Sequence, residues 1–241
     1  MRVLAFGAHP DDMENFCGGT LALLAQQGHE IFVAVATRGD IGSPSRTRDE
    51  IAWIRRNEAQ TACDLIGATL IWMGFDDEFL FSDRQTRLSF IDAMREAQPD
   101  VMFVLSEADY HPDHRTAGTI GRDSRIPASV PLIKTAFRET KIPTTFIMDI
   151  LSETGEGFIP DFYVDVTSVA SVKQEMLAAH VSQIAWMESV FETDMENDAM
   201  KRDRRRGAEV GVEFAEAFQL LRDYPITGGT ELLPNVILPK G

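Results

Sequence analysis

The stretch VLAFGAHPDD at residues 3–12 decides the fold, because an apolar run ends there in a cluster of polar side chains. The apolar residues predict a buried strand, and His9, Asp11 and Asp12 follow its end directly. Open α/β sheets bind their ligands outside the carboxyl ends of their strands. An imidazole and two carboxylates released at such a point are typical ligands of zinc or of a harder cation. The stretch therefore predicts one half of a metal site at a sheet edge.

A second cluster, HPDH at residues 111–114, follows another short apolar run at residues 101–105. A lone His or Asp after a strand is more often a turn residue or a helix N-cap. Here, however, the two stretches together hold three aspartates and three of the five histidines of the chain. We therefore expect the clusters to meet on one edge of one sheet. His29, before a predicted strand, and His180, near the end of a predicted helix, are not expected to be ligands.

Strand and helix patterns alternate over the first part of the chain. The predicted strands lie at residues 2–8, 31–37, 69–73 and 101–105, and the predicted helices at residues 18–27, 48–66, 85–97 and from 115 onward. Such alternation is typical of parallel strands joined by right-handed crossovers. We predict an α/β fold with a doubly wound, mainly parallel, Rossmann-like sheet that carries helices on both faces.

The pattern becomes less regular after residue 140. It predicts strands at residues 144–150 and 162–166, a helix at residues 169–182 and a long amphipathic helix at residues 200–221. No linker-like change of composition divides the 241 residues. We expect one domain that covers residues 1–241.

Composition restricts the partners and the compartment. The formal net charge of −15 disfavours nucleic acid and anionic membranes, since both require a basic surface, and the run KRDRRR at residues 201–206 is expected to be a solvated helix face. Cys17 and Cys63 form no CxxC pair, which indicates a reducing cytoplasm. We expect no signal peptide, because no charged segment leads into a long apolar run at the start, and no membrane span, because no apolar stretch reaches the ~20 residues required.

The two clusters together contain the parts of a hydrolytic metal site. Catalytic zinc takes three protein ligands and keeps one position open, and His9, Asp12 and His114 are the candidate ligands. Zinc lowers the pKa of water to about 7, so that water becomes a nucleophile at neutral pH. Hydrolysis of an amide or ester carbonyl fits this arrangement. A nucleotide cofactor is not expected, because neither GxGxxG nor GxxxxGK[ST] occurs.

Three further side chains of the clusters are candidates for roles beside the metal. Asp11, next to a ligand, is the candidate general base that accepts the proton of the attacking water. His111 could donate to the leaving group or to the developing oxyanion. Asp113 could fix the orientation of a histidine from behind. Cys17 lies close to the first cluster, but we expect it to serve packing.

The two clusters and several other segments resemble a known family. AHPDDMENFCGGTLALL at residues 8–24 and HPDHRTAG at residues 111–118 resemble the two signature motifs of the PIG-L/LmbE-like zinc-dependent N-deacetylases. These enzymes remove acetyl groups mostly from N-acetylglucosamine-containing substrates. The resemblance continues in TRGDIGS (37–43), IRRNEAQTACDLIGA (54–68), YVDVTSVASVKQEMLAAHVSQ (163–183) and GVEFAEAF (211–218).

The resemblance assigns the same roles to these positions as the metal chemistry does. It implies His9, Asp12 and His114 as zinc ligands and Asp11 as the general base. It further implies His111 as the electrophilic or acid histidine with Asp113 as its support, and it places Arg55 near the substrate pocket. The implied partner is an acetylated amino sugar or its conjugate, and relatives are often trimers or hexamers.

Two positions depart from the family pattern. Met13 and then Glu14 follow the second aspartate of the first motif, where many relatives have Glu directly, and this variant resembles the bacillithiol-pathway type. Asp109 stands two residues before the second motif, where some relatives carry Tyr, and Tyr110 is its neighbour. Neither departure changes the expected zinc ligands.

Two alternatives to deacetylation of an amino sugar remain open. One is an amidase that cleaves a larger conjugate or a non-sugar acylamine. The other is a protein that holds a metal only for stability, although structural zinc takes four ligands and only three are offered here.

Two surface features bear on substrate and assembly. Residues 38–48 and 74–84 are candidate walls of the pocket, and Asp76, Asp77 and Glu78 within them would either disfavour a multiply anionic substrate or be solvated turn residues. The apolar side chains that follow residue 182 are expected either to form a subunit contact or to pack in the core: Ile184, Trp186, Met187 and Phe191.

Overall fold

A single eight-stranded sheet runs through the computed structural model, which describes residues 1–152 and 156–239. The strand order is β3-β2-β1-β4-β5-β7-β6-β8. The first five strands in this order pair in parallel, and the last three join by antiparallel pairing. The strands are β1 (Arg2–Gly7), β2 (Glu30–Thr37), β3 (Thr69–Phe75), β4 (Val101–Val104), β5 (Thr144–Met148), β6 (Phe162–Asp165), β7 (Ala215–Leu220) and β8 (Val236–Ile237).

Helices cover both faces of this sheet. Helices α1 and α2 contact α5, α3 contacts α4, and members of both groups contact β1. The chain moves outward from β1 to β3 and then returns to β4 on the other side of β1, so the strand order reverses there. The predicted doubly wound, mainly parallel sheet is confirmed. The helices are α1 (Asp12–Gln26), α2 (Arg48–Leu65), α3 (Arg84–Ala97), α4 (Pro112–Ala128), α5 (Ala170–Ala178), α6 (Val181–Phe191) and α7 (Met195–Val210).

The central strands are buried on both sides. Every residue of β4 and all of β1 after Arg2 are buried, as expected of parallel strands between two helical layers. The ring of Phe6 stacks on Phe90 of α3 at 4.9 Å between centroids, while Phe103 packs against Phe146. Burial of each such ring contributes about 1.5–3 kcal/mol. This rigid core fixes the carboxyl ends of β1 and β4.

Two helices begin earlier than predicted. Helix α1 begins at Asp12 rather than at residue 18, and its residues are buried all round as far as Leu24, so no apolar stripe marks its first turn. Helix α4 begins at Pro112 rather than at residue 115, and proline is favoured in the first turn of a helix. As a result, Asp12 and His114 both lie in first helical turns.

The predicted long helix at residues 200–221 is confirmed only as far as residue 210 and is wrong beyond it. Helix α7 ends at Val210, because Gly211 adopts a φ of +86° that terminates it. Residues 215–220 instead form β7 between β5 and β6. Their sequence, AEAFQL, contains no β-branched residue, and the strand forms because its alternating side chains fill two layers of the core.

The predicted helix at residues 169–182 is also corrected. Helix α5 ends at Ala178, and α6 restarts at Val181 after His180. The His180 ring is fully buried here, so the chain bends to insert it beneath α1. No helix within the described ranges combines the length and apolar character needed to cross a membrane.

Candidate metal centre

The two polar clusters meet at the point where the strand order reverses. β1 ends at Gly7 and β4 at Val104, and the two strands are neighbours in the sheet. Their following segments therefore emerge side by side at one edge. In doubly wound sheets this crevice is the usual place for a ligand.

Three ligand-type atoms converge in the crevice. Nδ1 of His9 lies 3.2 Å from Nε2 of His114, which in turn lies 3.1 Å from Oδ1 of Asp12. The other carboxylate oxygen of Asp12, Oδ2, lies 3.8 Å from Nδ1 of His9. Ligand atoms at about 2.0–2.1 Å from a tetrahedral zinc ion are about 3.3 Å apart. Two imidazoles and one carboxylate at such distances are able to hold a metal ion.

The backbone before α1 holds the Asp12 carboxylate in place. Its Oδ2 accepts hydrogen bonds from the backbone N–H groups of Ala8, at 2.7 Å, and His9, at 2.8 Å. This leaves Oδ1 directed toward His114. The side chain is only 4% exposed. Asp12 therefore fastens the loop after β1 and presents one oxygen to the crevice.

Each of the two histidines has a carboxylate behind it. Nε2 of His9 lies 3.1 Å from Asp77 Oδ1 and 3.4 Å from Asp113 Oδ2, and Nδ1 of His114 lies 3.1 Å from Asp109 Oδ1. Carboxylates in this position orient metal-ligating imidazoles and raise their basicity. Asp77 and Asp109 were missed as site residues by the sequence prediction. Asp77 could have been found by its place after β3, at the same edge as the ends of β1 and β4.

The surrounding carboxylates favour positive charge between the imidazoles. Burial opposes a charge on His9, but three carboxylates outweigh burial and raise its pKa well above the usual value. Burial likewise opposes a charge on His114, but Asp12 and Asp109 raise its pKa to about 9. Burial favours neutral Asp12, yet the two histidines hold its pKa well below the usual range. The same negative potential from the carboxylates would stabilise a divalent cation.

Other groupings of ligand-type atoms exist around His9. His111 joins His9 and His114 with ligand atoms within 4.8 Å, and so do Asp77 and Asp113 with His9. The nitrogens of His111 are engaged elsewhere, and the two aspartates face the opposite nitrogen of His9 from the one near His114. His9, Asp12 and His114 stay the predicted ligand set, and the grouping with His111 shares two of its members.

Asp11 does not serve as a simple helix cap. It occupies the N-cap position of α1 in the left-handed region, with a φ of 102°, and its side chain makes no capping hydrogen bond. One carboxylate oxygen lies 3.4 Å from Nη2 of Arg55. Burial raises the pKa of Asp11 to about 6, with Arg55 opposing the rise and Asp12 adding to it. Strained backbone of this kind is concentrated at functional sites.

Arg55 lies beneath the site rather than in an open pocket. Its guanidinium donates to the backbone oxygens of Pro10, at 2.8 Å, and Gly39, at 3.2 Å, and it is only 2% exposed. A Cβ atom at Gly39 would lie 2.4 Å from Arg55 Nη1, so only glycine permits this approach. Substrate binding by Arg55 stays a prediction. The contacts of the guanidinium with Gly39 and Asp11 connect the loop at residues 37–43 to Asp11.

His111 is held at both ring nitrogens. Its Nδ1 accepts a hydrogen bond from the backbone N–H of Asp113 at 3.2 Å, and its Nε2 lies 3.0 Å from Oε1 of Glu78. Burial lowers the pKa of His111, as do the neighbouring His9 and His114. The imidazole is therefore neutral and carries its proton on Nε2.

Asp113 supports His111 through its backbone rather than through its carboxylate. The carboxylate instead accepts from the backbone N–H groups of Glu78, at 2.9 Å, and Leu80, at 3.2 Å. Asp113 therefore fixes the turn after β3, which carries Asp77 toward His9. The ring of Tyr110 is 66% exposed and packs edge-on against His111.

His180 lies behind the site and outside the ligand set. Its Nε2 is 3.4 Å from Glu14 Oε2, and both residues are buried. Burial opposes a charge on His180, but Glu14 raises its pKa above the usual value, with a contribution from Asp11. Cys17 is a buried thiol whose pKa is raised by burial, as expected for a packing residue.

The fold and the site define a class of α/β protein with a His/Asp group at the switch point of the sheet that is able to bind a metal. The family model described as GlcNAc-PI de-N-acetylase (PIG-L) matches residues 4–124, a segment that contains every candidate ligand. The chain belongs to this family of deacetylase enzymes.

Relatives within this similarity differ in their reactions. A probable N-acetyl-alpha-D-glucosaminyl L-malate deacetylase 2 of Bacillus cereus is 31% identical over 193 residues, which are 76% of this chain and 83% of that protein. The 4-oxalmesaconate hydratase of Pseudomonas putida is 26% identical over 190 residues, 75% of this chain and 73% of that protein. The structure of N,N'-diacetylchitobiose deacetylase from Pyrococcus horikoshii superposes with a TM-score of 0.80 at 24% identity, covering 95% of this chain and 88% of that one.

Proposed function

We propose that this protein is a zinc-dependent N-deacetylase that removes the acetyl group from an N-acetylglucosamine-containing or related amino-sugar substrate. The observation that carries the proposal is the convergence of His9, Asp12 and His114 in a chain of the de-N-acetylase family. Nε2 of His114 lies 3.2 Å from Nδ1 of His9 and 3.1 Å from Oδ1 of Asp12. Three protein donors leave an open position, which catalytic zinc requires and structural zinc does not.

The proposed ligands are His9, Asp12 and His114. A bound zinc ion supplies Lewis acidity, which polarises a carbonyl and makes water more acidic. Asp109 and Asp77 hold the two ligand imidazoles from behind at 3.1 Å. Stiff support of this kind keeps the donors in place between turnovers.

Asp11 and His111 take the proton steps in this proposal. Asp11 accepts the proton of the attacking water and passes it to the departing amine, while Arg55 restrains its carboxylate. His111, neutral and protonated on Nε2, donates a hydrogen bond to the acetyl oxygen as negative charge develops there. The products are acetate and a free amino sugar.

We favour deacetylation over hydration because of the charged residues around the proposed metal ligands. An unsaturated polycarboxylate such as the substrate named for the Pseudomonas relative needs cations. Arg38 and Arg48 already pair with Asp40, at 2.8 and 2.7 Å, and Arg55 is engaged beneath Asp11.

The buried free thiols of Cys17 and Cys63 fit the reducing cytoplasm that we propose as the compartment.

Acetate release tests the proposal. The protein is stripped with a chelator, reloaded with zinc and assayed on N-acetylglucosamine, its glycosides and chito-oligomers. We expect activity only in the reloaded protein, none in Asp12→Ala, and full activity in the control Asp198→Asn, whose side chain is exposed on α7. Release of a different acid from larger acylamines would favour the amidase alternative. Consumption of 4-oxalmesaconate without any acetate release would favour a hydratase.

A further inference from the structure

Glu78 has a backbone conformation that is uncommon for a residue with a side chain. Its φ is +66°, in the left-handed region that glycine adopts without cost. Two aspartates hold the turn in this state: Asp113 accepts from the backbone N–H groups of Glu78 and Leu80, and Asp40 accepts from that of Asp77 at 3.0 Å. These hydrogen bonds therefore hold the turn, and they also fix the direction in which the Glu78 side chain leaves the backbone.

The Glu78 carboxylate faces the proton donor of the site. Its Oε1 lies 3.0 Å from Nε2 of His111. The Glu78 side chain is 43% exposed, so the pair lies on the solvent-exposed side of the site. Because Nδ1 of His111 already accepts from the backbone N–H of Asp113, the ring has one proton to donate. A single N–H cannot serve both Glu78 and an acetyl oxygen. A substrate that uses His111 must therefore take the place of this carboxylate.

The displaced carboxylate keeps its negative charge next to the substrate. Asp76, a neighbour in the same turn, is paired with Arg38 at 2.7 Å, whereas the side-chain contact that the described residues give the Glu78 carboxylate is with His111. An anion bound beside the acetyl group would meet this charge at short range. A hydroxyl or ammonium group there would donate a hydrogen bond to it.

The geometry points to Glu78 as a specificity-determining residue, which selects amino-sugar substrates with hydrogen-bond donors beside the acetamido group and rejects those with a carboxylate there. This inference rests on the proposed function, because it concerns the substrate of the same site. It predicts that N-acetylglucosaminyl malate, whose aglycone carries carboxylates, is a poor substrate of this protein.

The test compares two glycosides that differ in charge. Methyl N-acetylglucosaminide is neutral, and N-acetylglucosaminyl malate is anionic next to the acetamido group. Glu78→Gln keeps the size and an acceptor oxygen but removes the charge, and Asp76→Asn is the matched control because it removes a neighbouring charge that faces Arg38. We expect Glu78→Gln to raise kcat/KM for the anionic glycoside, relative to the neutral one, about tenfold or more, from like charges at short range. Asp76→Asn should leave this ratio within about twofold, because an exposed ion pair is largely screened.

A binding experiment separates this inference from the proposed function. Dissociation constants for both glycosides are measured by calorimetry in Asp11→Asn, with and without Glu78→Gln, so that turnover is not needed. The same shift of the ratio toward the anionic glycoside is expected. Acetate release with an unchanged ratio in Glu78→Gln, and in Glu78→Gly should the first variant fold poorly, overturns the inference and leaves the deacetylase intact. A shifted binding ratio in these variants, together with no acetate release by the zinc-loaded protein that retains Asp11, supports the charge selection and contradicts the deacetylase. Equal loss for both glycosides, or binding of neither, also overturns the inference.

Discussion

Asp109 Oδ1 lies 3.1 Å from Nδ1 of His114, and this contact leaves Nε2 of the imidazole to face Asp12. The arrangement is reversed at His9, where Asp77 lies 3.1 Å from Nε2 and Nδ1 faces the crevice. The two histidines therefore present different nitrogens to the same point. In each case a buried carboxylate makes the selection.

Replacing Asp109 is expected to weaken metal binding. The carboxylate of Asp109 accepts from the backbone N–H of His111 at Oδ1 and from that of Leu151 at Oδ2. Asp109→Asn keeps one of these two acceptor oxygens and loses the charge next to His114. Zinc affinity should fall about 10- to 100-fold, measured by competition with a chromophoric chelator. The control is Asp198→Asn on α7. Unchanged affinity in Asp109→Asn, alongside loss of zinc in His114→Ala, would show that the carboxylate does not support the ligand.

Substitution of Asp11 separates the base from the ligands. Asp11→Asn keeps the shape of the side chain but cannot accept the proton of water, so kcat should fall about 10²- to 10⁴-fold with zinc still bound. His111→Ala should also retain zinc and lose rate, whereas Asp12→Ala should lose the metal itself. Zinc content and kcat are measured on the same preparations. Near-normal turnover in Asp11→Asn would sink the proposed mechanism.

Arg55 has two possible roles that a substitution distinguishes: positioning Asp11 and binding substrate. Arg55→Lys cannot reach the backbone oxygens of Pro10 and Gly39 together, so it should lower kcat and also the free energy of unfolding, by about 1–3 kcal/mol. Steady-state kinetics and urea unfolding measure both, with the exposed Arg56→Lys as control. A rise in KM with kcat and stability unchanged would instead indicate direct contact with substrate.

A buried ion cluster that contains none of the proposed metal ligands predicts a pH-dependent stability. Nζ of Lys173 lies 2.6 Å from Asp203 and 2.7 Å from Glu216, and Glu216 also accepts from the backbone N–H groups of Gly19 and Thr20. Lys173→Met leaves two buried carboxylates without their cation. The free energy of unfolding should fall by about 3–5 kcal/mol at pH 8.

The destabilisation should be smaller at pH 5. Burial raises the pKa of Asp203 from 3.8 to about 6 even with Lys173 opposing the rise, and it goes higher in the variant. A carboxyl whose pKa is raised on folding binds more protons in the folded state, so stability is regained as pH falls from 6 toward the unfolded value. Urea unfolding of Lys173→Met at both pH values, with the exposed Lys201→Met as control, measures this difference. Equal losses at pH 5 and pH 8 would contradict it.

Helix α6 carries the four apolar side chains predicted either to form a subunit contact or to pack in the core, and of these Ile184 packs against the core while Phe191 is exposed. None of its residues is buried, and Val181, Val190 and Phe191 are 65%, 48% and 57% exposed. We expect a trimer or hexamer in which this surface is covered, and Phe191→Glu should shift the population toward smaller species. Sedimentation velocity at micromolar concentration measures the mass. A monomer of about 27 kDa in the unmodified protein would remove this prediction.

The sequence by itself determined the sheet class and the family. Both depend on local signals. An apolar run predicts a buried strand wherever it lies, and the residue types in HPDD and HPDH are typical of metal ligands. Because parallel strands end at one edge, the meeting of His9 with His114 could also be predicted without coordinates.

Tertiary structure alone decided the rest. The pairing of Asp77 with His9 joins residues 68 positions apart, and it depends on a left-handed turn at Glu78 that two distant aspartates impose. Strand β7 forms from AEAFQL, which has weak strand propensity, because the gap between β5 and β6 requires a strand. Local patterns record which residues prefer burial or charge. They do not record which distant group will stand within 3 Å, because that is set by the packing of the whole sheet.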